Sequence, residues 1–123
     1  MKILQVVHYF LPRHRAGTEI YTYNLAKELA RKHQVCIFCS EDGPTSERYQ
    51  IKEDLFSGLP VCRLTYDQPQ GFIETFKNDA VEERFEQYLD QVRPDVIHFQ
   101  HLFRLSASLL SVAKRRGIPS VLT

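Results

Sequence analysis

The chain has 123 residues, 43% of them hydrophobic and 25% charged, with 16 Lys and Arg against 15 Asp and Glu and a formal net charge of +1. That length fits one domain, residues 1–123, with a single core, and the composition excludes a disordered chain. A charge so close to zero leaves no electrostatic case for nucleic acid as a partner. No apolar run reaches the ~20 residues that span a bilayer, and the N-terminus lacks a signal-peptide layout, so the chain reads as cytoplasmic.

The first strand is predicted over Ile3–Val7, followed by a Pro-containing loop and a helix that starts at Gly17-Thr18. A strand, a loop and a helix N-terminus in this order form a candidate anion site, because the free N–H groups of the first turn and the positive dipole end face the crevice above the strand. The helix is predicted to run to Lys32 with Tyr21, Leu25 and Leu29 as its packing face. A second strand covers Val35–Cys39. Its Cys36 and Cys39 have the spacing of a metal pair but point to opposite faces of a strand, so no metal site is expected there. The three cysteines suit buried thiols in a reducing compartment.

Residues 40–59 read as a long excursion with one short extra element, followed by a third strand over Val61–Leu64. A loop with Pro69 and Gly71 then leads to a helix from Ile73 to Val92 whose face is Val81, Phe85, Leu89 and Val92. The fourth strand is Val96–Phe99. A last helix, Leu102–Arg116, presents Leu105, Leu109, Val112 and Ala113 and stops at Gly117 and Pro119 before a fifth strand, Ser120–Leu122.

Strands alternating with helices predict an α/β fold: a Rossmann-like parallel sheet of about five strands in the order 3-2-1-4-5, with helices on both faces. In that order the loops after strands 1 and 4 meet at the switch point, where open α/β sheets bind ligands. They carry His8, Tyr9, Arg13, His14, Arg15, Gly17, Glu19, His98, Gln100 and His101, including four of the five histidines.

The segments Met1–Pro12, Ala16-Gly17-x-Glu19, Leu25–Ala30, Arg93–Leu102 and Arg116–Thr123 together resemble the N-terminal domain of GT-B glycosyltransferases, specifically the retaining glycosyltransferase family 4. The resemblance implies the acceptor-binding half of an enzyme that moves a sugar from a nucleotide-sugar donor to an acceptor hydroxyl. The leaving diphosphate is steadied by backbone N–H groups and basic side chains, without a protein nucleophile or cofactor. Gly17 falls on the second glycine of the family's Gly-Gly turn, with Ala16 in place of the first. Gln100 stands where the family's His-x-His pattern has its second histidine, so an acid–base role would move to the adjacent His101, since an amide cannot take a proton. His101 and Gln100 are therefore the candidate catalytic residues. Gly17, Thr18, Arg13, Glu19 and His98 are the candidates for binding substrate or phosphate.

The chain ends at Thr123, where family members continue with a His-Asp loop and a C-terminal donor-binding domain. The implied partners are a sugar acceptor and, with that second domain, a nucleotide sugar. The resemblance further implies that the chain by itself is inactive, that a poorly covered sheet face drives homo-oligomerisation, and that Lys114-Arg115-Arg116 offers peripheral contact with the inner membrane face. The alternative is a non-catalytic Rossmann-like binding module. A phosphoacceptor domain lacks its acidic pair after strand 1, leaving Asp67 alone, and a dinucleotide site lacks its Gly-x-Gly-x-x-Gly turn.

Overall fold

A computed structural model describes residues 1–45, 48–66 and 71–123. The described part contains β1 (Lys2–Val6), α1 (Gly17–Leu29), β2 (Gln34–Asp42), β3 (Gln50–Phe56) and β4 (Leu59–Tyr66). After these come α2 (Phe72–Phe76), α3 (Asp79–Val92), β5 (Val96–Phe99), α4 (Leu109–Arg115) and β6 (Ser120–Leu122). The sheet order is β3-β4-β2-β1-β5-β6, parallel throughout except for the antiparallel pair β3/β4. The five predicted strands occur in the predicted order; β3 is the sixth. Asp67 and Pro69 lie outside the described residues.

Strand pleating divides the core between two faces. Ile3, Val7, Val35, Ile37, Cys39 and Val61 pack beneath α1 with Phe10, Leu11 and Ala26. On the other face Leu4, Val6, Cys36, Phe38, Leu64, Ile97 and Phe99 pack against Val81, Phe85 and Leu89 of α3 and Leu109, Val112 and Ala113 of α4. Cys36 and Cys39 accordingly belong to opposite layers. Both sheet faces are covered, which is why the central strands read as continuous apolar runs. The outermost residues Val121 and Leu122 are exposed.

Three predicted elements differ from those observed. The predicted helix Ile73–Val92 is two helices, because Asn78 caps α3: its side-chain oxygen accepts from the Val81 N–H at 3.2 Å, while its amide donates to the Tyr49 hydroxyl at 2.9 Å. A cap with extended backbone restarts the helix and prevents continuity with α2. The predicted helix Leu102–Arg116 is helical only from Leu109, because Arg104 and Ser106 adopt φ of 66° and 135°, values no α-helix accommodates. The face of α1 is also rotated. Glu19, Thr22 and Ala26 are buried, whereas Tyr21 is 52% exposed. Small Thr and Ala side chains let α1 lie close on the sheet, and Glu19 is drawn in by polar partners described below.

Arg115 pairs with Glu82 of α3 at 3.3 Å and Arg116 pairs with Glu86 at 3.4 Å and with Asp90, so two of the three cations at the α4 end are tied to α3. Among the described residues no helix is long and apolar enough to cross a membrane.

Candidate functional site

β1 and β5 are neighbours in the sheet, with Gln5 opposite His98 and Val6 opposite Phe99. Their following loops therefore leave the carboxyl edge side by side. The first loop is anchored by buried Phe10 and Leu11, and by His8, whose carbonyl accepts from the N–H and hydroxyl of Ser40. Buried Arg63 donates to the Leu11 carbonyl at 2.8 Å while its guanidinium meets Asp54 at 3.0 Å and Glu41 at 3.7 Å.

The loop ends at Ala16, the N-cap of α1, which has no side-chain acceptor for the first-turn N–H groups. Only the reverse half of a capping box is present: the Glu19 carboxylate accepts from the Ala16 N–H at 2.7 Å. The N–H groups of Gly17 and Thr18 have no acceptor among the described residues. Gly17 has no positive φ, and a Cβ built on it would meet nothing within 4 Å. Neither the turn nor the packing requires glycine here, so what the missing side chain provides is open space beside a helix N-terminus. That space belongs to a cleft of about 440 Å³ lined by Gly17, Thr18, Tyr21, Gln100 and Thr123.

A row of polar side chains forms the wall opposite α1. Gln100, only 7% exposed, donates its amide to Gln5 Oε1 at 2.9 Å and to His98 Nδ1 at 3.2 Å, while His98 Nε2 meets the Thr123 hydroxyl. Gln100 is further fixed by its backbone N–H on the Val6 carbonyl at 2.7 Å. Burial holds the His98 pKa below the ordinary value for histidine.

Beside this row lies a separate aromatic and imidazole cluster. His8 sits 4.6 Å from His101 between ring centroids, 5.1 Å from Tyr9 and 6.3 Å from Phe103, and His14 stacks on Tyr9 at 3.9 Å. His8 Nε2 is 3.5 Å from Glu19 Oε1. Burial, then the neighbouring His101, push the His8 pKa down, and Glu19 opposes them only in part. His101 is exposed, and its Nδ1 accepts from the Phe103 N–H at 3.1 Å.

The predicted residues therefore fall in three places. Gly17, Thr18 and Gln100 line one cleft, with His98 packed behind Gln100. Glu19 and His101 share the His8 cluster, and Glu19 is 1% exposed, so its carboxylate organises the turn from within. Arg13 is elsewhere: its guanidinium donates to the Asp42 carbonyl at the end of β2. There Asp42 also binds Arg104 at 2.7 Å and accepts from the Tyr9 hydroxyl at 3.3 Å, and Arg104 lies 4.3 Å over the Tyr66 ring. Gln5, Asp42 and Arg104 escaped the sequence reading. Gln5 carried a signal, a lone amide within an otherwise apolar strand.

A mostly parallel sheet covered by helices on both faces, with its cleft outside the carboxyl ends of the two strands at the switch point, defines a Rossmann-like domain. A profile of Glycosyltransferase Family 4 matches residues 15–123, and the chain belongs to that family. Among solved structures it is similar to the catalytic domain of starch synthase IV from Arabidopsis thaliana, bound to ADP and acarbose. The TM-score is 0.55 and the identity 17%, over 98% of this chain and 32% of that one. It is likewise similar to sucrose-phosphate synthase from Thermosynechococcus elongatus, with TM-score 0.64 and 17% identity, over 98% of this chain and 31% of that one. At those identities the likeness is one of fold, that of the Rossmann-like domains of GT-B glycosyltransferases, and the chain spans about a third of each structure. No curated protein sequence matches.

Proposed function

We propose that this chain is the acceptor-binding half of a retaining glycosyltransferase, which transfers a sugar from a nucleotide-sugar donor to an acceptor hydroxyl. The observation that carries this reading is the open space at Gly17 beside uncapped first-turn N–H groups, directly across a cleft from the immobilised Gln100 amide. In this reading the Gly17 and Thr18 N–H groups and the dipole of α1 stabilise the charge that develops as the donor diphosphate departs. Gln100 hydrogen-bonds a sugar hydroxyl with a side chain whose rotamer is already fixed, so little ordering entropy is lost on binding. His101 supplies the exchangeable proton at the cleft edge. Glu19 and His98 are positioning residues behind the binding surface, and Arg13 shapes the first loop through Asp42. The nucleotide is held largely by a second domain, as the chain's share of its structural neighbours suggests.

The test is product analysis with the protein expressed from the whole open reading frame that encodes this chain. Incubation with a panel of nucleotide sugars and saccharide acceptors is expected to give a glycoside with the donor's anomeric configuration, read from the proton coupling constant of the new anomeric centre. An inverted product, or no transfer from any donor in the panel, contradicts the proposal.

A further inference from the structure

At the opposite edge of the sheet, where β1, β2 and β4 begin and α1 and α3 end, lies an open-sided hollow of about 460 Å³. Its charged side chains are Lys2, Arg31, Lys32, Arg93 and a single carboxylate, Asp95, and Met1 lines it as well. It continues, through Lys2 and His33, into a second hollow of about 440 Å³ whose walls include Val35, Leu59, Pro60 and Val92.

The ordinary reason for cations at such a place is to offset helix C-termini. Arg31 is neutralised by Glu28 at 3.0 Å. Lys2 donates Nζ to the Val92 carbonyl at 2.7 Å, and neither Lys32 nor Arg93 makes an ion pair among the described residues. Two helix C-termini contribute roughly half a negative charge each, and Asp95 one more, against three uncompensated cations. Among these side chains and helix ends, about one positive charge is left unmatched at the open hollow. His33 Nδ1, buried and without a hydrogen-bond partner, lines the junction with the apolar half.

We propose that this two-part hollow binds a small organic anion, its charged head between Lys32 and Arg93 and its apolar body against Leu59 and Pro60. The site is independent of the Gly17 cleft, which lies across the full height of the sheet. A ligand here would reach the cleft side only through the strands β1 and β2 and through α1, whose two ends face the two sites.

Amide chemical-shift titration of the labelled chain tests this, with phenyl phosphate as probe and inorganic phosphate and benzyl alcohol as its two halves. Phenyl phosphate is expected to shift Lys32, His33, Gln34, Arg93 and Leu59 saturably, about tenfold more tightly than either half alone. Lys32→Glu is expected to weaken binding about tenfold and to steepen its response to salt no further, since the responsible charge is gone. Arg93 has φ 48°, so Arg93→Gly removes the second cation without backbone strain and gives the same loss in a variant that keeps its fold. Shifts confined to other surfaces, equal affinity for phenyl phosphate and inorganic phosphate, or unchanged binding in both variants would overturn the proposal.

Discussion

Glu19 is an acid on the first turn of a helix, where the sequence alone suggests a solvent-facing or ligand-facing group. In the fold it is buried, holds the Ala16 N–H and approaches His8, so its loss leaves a buried donor without a partner. Glu19→Ala is expected to cost about 1–3 kcal/mol in urea denaturation, and Glu19→Gln, which keeps an acceptor, clearly less. A Glu19→Ala protein with unchanged stability and lost ligand binding would mean the carboxylate faces the ligand after all. His8 gives a pH dependence with a definite sign. Its folded-state pKa, like that of His98, lies below the ordinary value, so the unfolded chain binds the proton more readily. The stability these histidines contribute is full above about pH 6.5 and is lost as pH falls through the lower folded values. The urea midpoint should therefore drop between pH 7.5 and 5.5, and the drop should shrink in His8→Gln. A midpoint that rises on acidification refutes this.

At the scale of elements, the parallel strands were legible because each is an apolar run bounded by breakers, and their order followed from which connections carry a helix. β3 is legible only as one short extra element within residues 40–59 and not as a strand, because Lys52, Glu53 and Asp54 give it the polarity of an exposed edge strand, with little apolar alternation to detect. Its signal was the turn: Ser57 and Gly58 have φ of 50° and 81°, the pair of positive values that a two-residue hairpin turn requires. Gly58→Ala is expected to destabilise by about 1 kcal/mol through φ alone, since a Cβ there meets nothing within 4 Å. Ser57→Asn, better suited to positive φ, should stabilise slightly, and a melt showing the reverse order would contradict the turn assignment. The packing face of α1 was misjudged for a related reason. Tyr21 fits the period yet is exposed, while the contact uses Thr22, Ala26 and a buried acid together with Leu29, the member of the predicted face that packs against the core. The loop before α4 could not be read at all, because positive φ at Arg104 and Ser106 is fixed by their surroundings, among them the Tyr66 ring under Arg104 and the Ser106–Ser108 hydroxyl contact.

At the scale of the whole molecule, the switch-point rule points to the loops after β1 and β5 from strand order and direction alone. It could not divide the residues within that site. The pleat carries Gln5, His98 and Gln100 to one side, and the His8 cluster gathers on Glu19, so the ten clustered residues become two neighbouring groups, with Arg13 on the Asp42 carbonyl and Arg15 on the Pro12 carbonyl outside both. The central claim is that the cleft of Gly17, Thr18 and Gln100 holds sugar. The most direct measurement is amide-shift mapping of the labelled chain with a panel of neutral monosaccharides and disaccharides, repeated with Gln100→Ala. Saturable shifts are expected at Gly17, Thr18, Tyr21 and Gln100 for at least one saccharide, weakened about tenfold in Gln100→Ala, a variant that also loses about 1–3 kcal/mol through the unpaired Gln5 carbonyl and is therefore titrated where its spectrum is that of the folded chain. Shifts elsewhere, or equal binding by the variant, would contradict it.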